Sequence, residues 1–265
     1  MNSSEIRANA RKSLQGKWKK AVLITLVYVL IVFVINYILS FIPFVGNVVA
    51  FIIAAPISFG ILASLIKLKR DEDVSYLDFL SNGFSKFGKV WAVYGNVLLK
   101  MLVPIILVFI STFLFGFSIG GSIASLTLSS PTTSSAAFGI LGIISIIVLI
   151  VSIIWSSIKS LNYSLVYYLL YDNPEMTGKE IANRSEQLMQ GNRWKFFVLG
   201  LSFIGWMILS AFTFNIGLLW VFPYLTFATI IFYENLADGN VSNYNVNIEE
   251  TKIENQDDDN PIKEN

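Results

Sequence analysis

Six long apolar stretches, at residues 21–42, 46–66, 93–117, 138–157, 196–214 and 216–232, constrain this chain more than any other feature. Each is close to the ~20 residues that a helix needs to cross ~30 Å of hydrocarbon. Backbone in lipid must satisfy its own hydrogen bonds, so helices are the expected form. Hydrophobic residues make up 54% of the sequence and charged residues 14%, against roughly 45–50% and 25% in soluble domains. Only Pro43-Phe44-Val45 separates the first two stretches, and about Asn215 the last two, so each pair reads as a tight hairpin. Gly217 and Pro223 offer one kinked segment as the alternative, but it would be too long for a single crossing. Residues 21–42 exceed the ~7–15-residue core of a secretory signal and should remain as a spanning helix. The expected fold is an all-α membrane protein of about six transmembrane helices, arranged as three hairpins with cytoplasmic interfacial amphipathic helices.

Orientation follows from Lys and Arg, which stay on the cytoplasmic side during insertion. Arg7, Arg11, Lys12, Lys17, Lys19 and Lys20 precede the first stretch. Lys67, Lys69, Arg70, Lys86 and Lys89 fall in the second connection, and Lys179, Arg184, Arg193 and Lys195 in the fourth. The odd-numbered connections carry none, so a multi-pass protein of the cell membrane with both termini in the cytoplasm is expected. Residues 1–20 read as a basic amphipathic interfacial helix, 21–236 as a six-helix transmembrane domain, and 237–265 as a disordered acidic tail, too poor in apolar residues to fold.

Three connecting segments carry apolar residues at helical spacing. Ile6, Ala10, Leu14 and Trp18 form one stripe and Leu77, Leu80, Phe84, Phe87 and Trp91 a second; each would lie in the headgroup layer with its stripe turned to lipid. In the third, Thr177 and Glu180 have capping-box spacing, Ile181, Leu188 and Met189 share a face, and Gly191 is placed to end the helix. Residues 118–137, rich in Gly, Ser and Thr, read as an external loop. A repeat links Gln15-Gly16-Lys17-Trp18, Gly88-Lys89-Val90-Trp91 and Gln190-Gly191-Asn192-Arg193-Trp194, each before a hairpin. Arg7, Arg11 and Lys12 with Trp18, Trp91 and Trp194 are the expected membrane-interface anchors.

The sequence has no Cys and no His, which removes thiolate chemistry, the commonest zinc ligands and the usual proton shuttle. No acid lies mid-span, so the carboxylate relay of ion-driven transporters is missing. Lys100, Lys159 and Asn162 are the candidate polar site inside or near the membrane, with snorkelling of the lysines as the plainer reading. Gly200 and Gly205 would let another helix approach closely. No paired carboxylates, activated nucleophile or phosphate-binding loop is recognisable, so no catalytic, cofactor or metal site is expected.

The segments Ser185-Glu186-Gln187-Leu188-Met189-Gln190-Gly191, Leu199-Gly200-Leu201-Ser202-Phe203-Ile204-Gly205-Trp206, Gly217-Leu218-Leu219-Trp220, Pro223-Tyr224 and Phe232-Tyr233 together resemble a family of bacterial membrane proteins catalogued as domain of unknown function 975. Arg7-Ala8-Asn9-Ala10-Arg11, Asn162-Tyr163-Ser164 and Tyr171-Asp172-Asn173-Pro174 extend the likeness over most of the chain. The resemblance implies a six-helix protein of the cytoplasmic membrane, mostly of Gram-positive bacteria, more distantly similar to the membrane domain attached to some glycerophosphodiester phosphodiesterases. It marks Ser185, Met189, Gly191, Gly205, Trp206, Pro223 and Tyr224 and supplies no catalytic residues. Where members often carry Pro-Gly, this chain has Trp155-Ser156-Ser157-Ile158-Lys159, so no break in the fourth helix is implied there. The functional expectation is a non-enzymatic protein that binds or organises membrane lipid, anionic lipid included, or a membrane protein partner. A transporter or exporter subunit for an apolar or amphipathic molecule is the alternative, and no nucleic acid is expected.

Overall fold

In the computed structural model the described residues are 2–42, 44–127 and 133–258, and every regular element among them is helical. In chain order these are α1 (Ser3–Leu14), α2 (Trp18–Ser40), α3 (Val45–Lys69), α4 (Asp78–Ser85), α5 (Phe87–Thr127), α6 (Thr133–Asn162), α7 (Val166–Asp172), α8 (Gly178–Met189), α9 (Arg193–Ala211) and α10 (Leu218–Asp258). Five segments are long and apolar enough to cross a membrane: Trp18–Ser40, Val45–Lys69, Phe87–Ser125, Ala137–Asp172 and Arg193–Ala211. The chain is a multi-pass membrane protein.

The sixth expected crossing, 216–232, is not among these five. Its helix begins at Leu218 and stays apolar only to Phe232, a rise of about 22 Å that falls short of the ~30 Å core. The turn before it holds Phe214 and Asn215 at φ +50° and +65°. Pro223 sits inside α10 rather than dividing it. Helical backbone continues to Asp258; residues 259–265 of the expected tail lie outside the described ones.

The chain divides into two compact units. The first comprises Met1–Ser85 and Trp194–Asn265, hence α1–α4, α9 and α10. Its core gathers at the ends of the helices where the basic residues lie: Leu14, Ile24, Phe59, Leu65, Ile66, Phe79, Phe203 and Phe227 are fully buried. Lys69 pairs with Glu234 at 2.5 Å and Lys17 with Asp71 at 2.8 Å, closing that end. Away from it Phe33, Tyr37, Phe41, Phe44 and Phe51 on α2 and α3 are exposed, as lipid-solvated residues should be. The α4 helix packs on α3 through glycines. A Cβ on Gly60 would overlap the Phe79 carbonyl, and one on Gly83 the Pro56 carbonyl. The α4 helix buries Phe79 and Gly83, while Leu77, Phe84 and Phe87 of the expected second stripe are exposed.

The second unit is Lys86–Arg193. Its long helices α5 and α6 meet along a serine seam in which Ser111, Ser118, Ser145 and Ser152 are buried. Ser111 donates to the Leu107 carbonyl, Ser145 to that of Leu141 and Ser152 to that of Val148, so each hydroxyl is satisfied within its own helix. Ser118 instead donates across to the Phe138 carbonyl at 2.6 Å, and a Cβ on Gly121 would strike the Phe138 ring. This corrects the external loop at 118–137. Both flanks are helical, to Thr127 and from Thr133, because small residues let the two helices close; residues 128–132 lie outside the described ones. Leu102, Ile106, Phe109 and Phe113 form a lipid-facing stripe on α5. There is no break at Ser157; α6 runs to Asn162 and a turn at 163–165 leads into α7.

Candidate functional site

The site is built on α1. Its first turn is closed by a reciprocal cap, with the Glu5 amide donating to Asn2 Oδ1 at 2.9 Å and the Asn2 amide to Glu5 Oε2 at 3.0 Å. Ile6, Ala10 and Leu14 recur at four-residue spacing and are buried. Their partner is protein and not lipid: α1 packs on α10, which corrects the expectation of a stripe lying in the headgroup layer. The Tyr224 hydroxyl donates to the Arg7 carbonyl at 3.2 Å, and Arg7 Nη1 to the Ser202 carbonyl at 3.5 Å. Gly16, at φ +76°, then turns the chain into α2, bringing the Trp18 ring within 6.1 Å of Tyr224.

The neighbouring face of α1 carries Ser4, Arg7 and Arg11, one turn apart. With Trp18, Trp206, Trp220, Val221 and Tyr224 they line a cleft of about 350 Å³. Tyr224 is held edge-on to Phe203, with ring centroids 4.8 Å apart, whereas Trp206 and Trp220 are 50% and 49% exposed. Two guanidinium groups thus border a cleft whose lining holds no carboxylate. Arg7 Nε is buried without a hydrogen-bond partner, and a buried donor left unmet costs about 1–3 kcal/mol. Chemically, the cleft can hold an anion at one end and apolar groups against its indoles.

The second unit brings together the candidate polar residues. Lys100 Nζ lies 2.8 Å from Glu186 Oε2 and 5.6 Å from the centre of the Tyr163 ring, and the Tyr163 hydroxyl donates to the same carboxylate oxygen at 3.4 Å. The Lys100 ammonium bonded to it, with Tyr163 and Lys159 assisting, holds the Glu186 carboxyl below its usual range despite partial desolvation. Lys159 stands 5.7 Å from the Trp155 ring centre. Asn162 is buried; its carbonyl accepts the Ser185 hydroxyl at 2.6 Å, while its Oδ1 has no partner. Lys100 is therefore a paired residue that ties α5 to α8. Along these two helices Gly178 sits against Ala92 and Glu186 against Lys100, so α8 runs parallel to the start of α5.

The other anticipated residues are spread more widely. Lys12 is exposed and Trp194 is 71% exposed, while Trp91 stacks edge-on with Tyr94 at 5.4 Å. Ser185 and Met189 are buried in the α8 interface and Gly191 takes φ +73°. Gly200 and Gly205 meet nothing within 4 Å of a Cβ, which corrects the expected close helix approach at both. The cleft itself joins two sets of residues singled out for different reasons: the anchors Arg7, Arg11 and Trp18, and the motif residues Trp206 and Tyr224. Ser4 and Val221 carried no signal in the sequence, since one cleft-lining Ser or Val resembles any other. Among the described residues there is no cluster of three or more potential metal-ligating His, Cys, Asp or Glu side chains.

A family model described as "Protein of unknown function (DUF975)" matches residues 1–240. No curated protein and no solved structure matches the chain.

Proposed function

This chain belongs to the DUF975 family, and we propose that it is a non-enzymatic protein of the cell membrane that binds lipid in the cleft between α1, α9 and α10. The observation that carries this reading is the lining itself: two arginines of α1 beside four aromatic rings, Trp18, Trp206, Trp220 and Tyr224. Trp and Tyr favour the boundary where one end of a side chain meets hydrocarbon and the other water. The half-exposed Trp206 and Trp220 offer flat apolar walls, and the arginines offer the polar end.

The proposal places both termini in the cytoplasm and three helix pairs, α2–α3, α5–α6 and α9–α10, in the membrane, each attended by one short amphipathic helix. Support comes from the one-sided distribution of Lys and Arg. The Lys69–Glu234 pair adds to it by returning α10 to the end where α3 finishes, even though its apolar part is short.

The test is to purify the full chain in mild detergent and identify retained molecules by mass spectrometry, beside Trp206→Ala and Trp220→Ala. Phospholipid retained by the parent and depleted in both variants is the expected result. Retention of a non-lipid metabolite would favour a transport role, and equal lipid in all three preparations would remove the cleft as the site.

A further inference from the structure

We propose that the cleft takes the phosphate of an anionic lipid headgroup, bridged by Arg7 and Arg11, with the glycerol and first methylenes against Trp206 and Trp220. The inference rests on the lipid-binding reading and adds to it the chemistry that selects the headgroup.

Charge accounting leads to this ligand. Two nearby lysines have carboxylate partners, Lys17 reaching Asp71 at 2.8 Å and Lys20 reaching Asp73 at 3.3 Å. Arg7 and Arg11 have none among the described residues. Glu5, the acid on their own helix, spends Oε2 on the Asn2 amide. Arg7 Nε is buried without a hydrogen-bond partner, and a planar guanidinium lining the cleft suits the paired oxygens of a phosphate better than an ammonium would. Arg11 stands one turn further along α1, so one phosphate can face both.

A comparison inside the chain strengthens the assignment. Counted from their caps, α1 and α8 correspond residue by residue: Asn2 with Thr177, Glu5 with Glu180, Ile6 with Ile181, Ala10 with Ser185, Leu14 with Met189 and Gly16 with Gly191. Arg11 then stands where α8 has Glu186. In α8 that position is neutralised by Lys100; in α1 the charge has the opposite sign and the cleft supplies no protein counterion. An anion from outside the chain completes the equivalent pair.

The aromatic box alone would also suit a quaternary ammonium group. Two guanidiniums facing the same space repel such a cation, so phosphatidylcholine should be a poor occupant. The volume of about 350 Å³ is at the small end of the ~300–1,000 Å³ of ligand sites; it fits a headgroup and leaves the tails to the surrounding hydrocarbon.

The experiment is native mass spectrometry of the purified full chain titrated with phosphatidylglycerol, phosphatidylcholine or inorganic phosphate. Phosphatidylglycerol should be preferred over phosphatidylcholine by about tenfold or more, as expected for charge-assisted bonds. R7Q and R11Q should reduce that preference to within about twofold, while K12Q, on another face of α1, should retain it. Melting temperatures of all variants, measured alongside, separate lost binding from lost folding; R7K should keep the fold and bind at an intermediate level. Equal binding of both lipids with no effect of either arginine would overturn this inference and leave the lipid reading intact. Failure to bind either lipid would overturn both. Binding of inorganic phosphate as tight as that of phosphatidylglycerol would assign the site to free phosphate.

Discussion

The two amphipathic helices α1 and α8, one in each unit, are built alike and finished differently. Both have a capping box, end at a glutamine C-cap with nearly the same backbone angles, and turn through a left-handed glycine. Both bury the paired positions Ile6 and Ile181, Ala10 and Ser185, and Leu14 and Met189, while α8 also buries Ala182 and Leu188 where α1 has Arg7 and Ser13. In α8 the polar edge is closed by Glu186, Lys100 and Tyr163; in α1 the corresponding edge presents Arg7 and Arg11 to an open cleft. A shared scaffold thus serves two ends. One edge is saturated by the protein and fastens helix to helix, and the other keeps its charge available. The third candidate repeat, around Gly88, lacks this ending because Gly88 lies within α5.

The largest effect that could break the comparison is one of topology. If both packed cores lie on the cytoplasmic side, Asn183→Cys on α8 should be shielded from an impermeant thiol reagent in intact cells, and Ser130→Cys should be labelled. The chain has no native Cys to confuse the readout. Label at Asn183 alone would invert the orientation, and label at both would change the number of crossings.

Next in size are the glycines that set helix docking. Gly60→Ala and Gly178→Ala each place a methyl against backbone, so each should cost about 1–3 kcal/mol and lower the melting temperature, while Gly200→Ala should leave it unchanged. A comparable loss at Gly200 would mean that the open face of α9 is packed. For the left-handed turns, Gly16→Ala and Gly191→Ala should each cost about 1 kcal/mol. Unequal losses would show that the two endings are alike in shape but not in energetic weight.

The smallest effect sharpens the contrast at the polar edges. The Lys100–Glu186 side chains are 29% and 34% exposed, so Glu186→Gln should cost only about 0.2–1 kcal/mol, read as faster amide exchange in α8. Because the folded protein lowers the Glu186 pKa, its stabilisation is present above the unfolded carboxylate's pKa and is lost as pH falls through the lowered folded value. Lys100, Tyr163 and Lys159 surround the carboxylate, and all three favour its charged form. Exchange in α8 that did not accelerate on acidification, relative to Glu186→Gln, would remove the pair as the fastening.

Much of this was readable in the sequence because it is local. The Thr177–Glu180 cap, the Gly191 stop, the stripes of α1 and α8 and the long apolar runs depend on residues within a few turns of one another. What covers a stripe is a different question, since Ile6, Ala10 and Leu14 have the same spacing whether lipid or α10 lies beneath. Residues 118–137 misled for a related reason. Gly and Ser signal a loop in water, yet in a membrane helix they permit close packing, as Ser118 and Gly121 do against Phe138. The cleft was legible only in pieces, because Arg7 and Tyr224 are brought together by folding and share no local pattern.

The most direct test of the contrast compares R11Q in α1 with K100Q in the second unit, purified side by side from the same cells and analysed for co-purifying anionic phospholipid. The account predicts that R11Q loses most of that lipid at an unchanged melting temperature, whereas K100Q keeps the lipid and loses some stability. Equal lipid in R11Q and the parent chain, or loss in K100Q but not in R11Q, would contradict it.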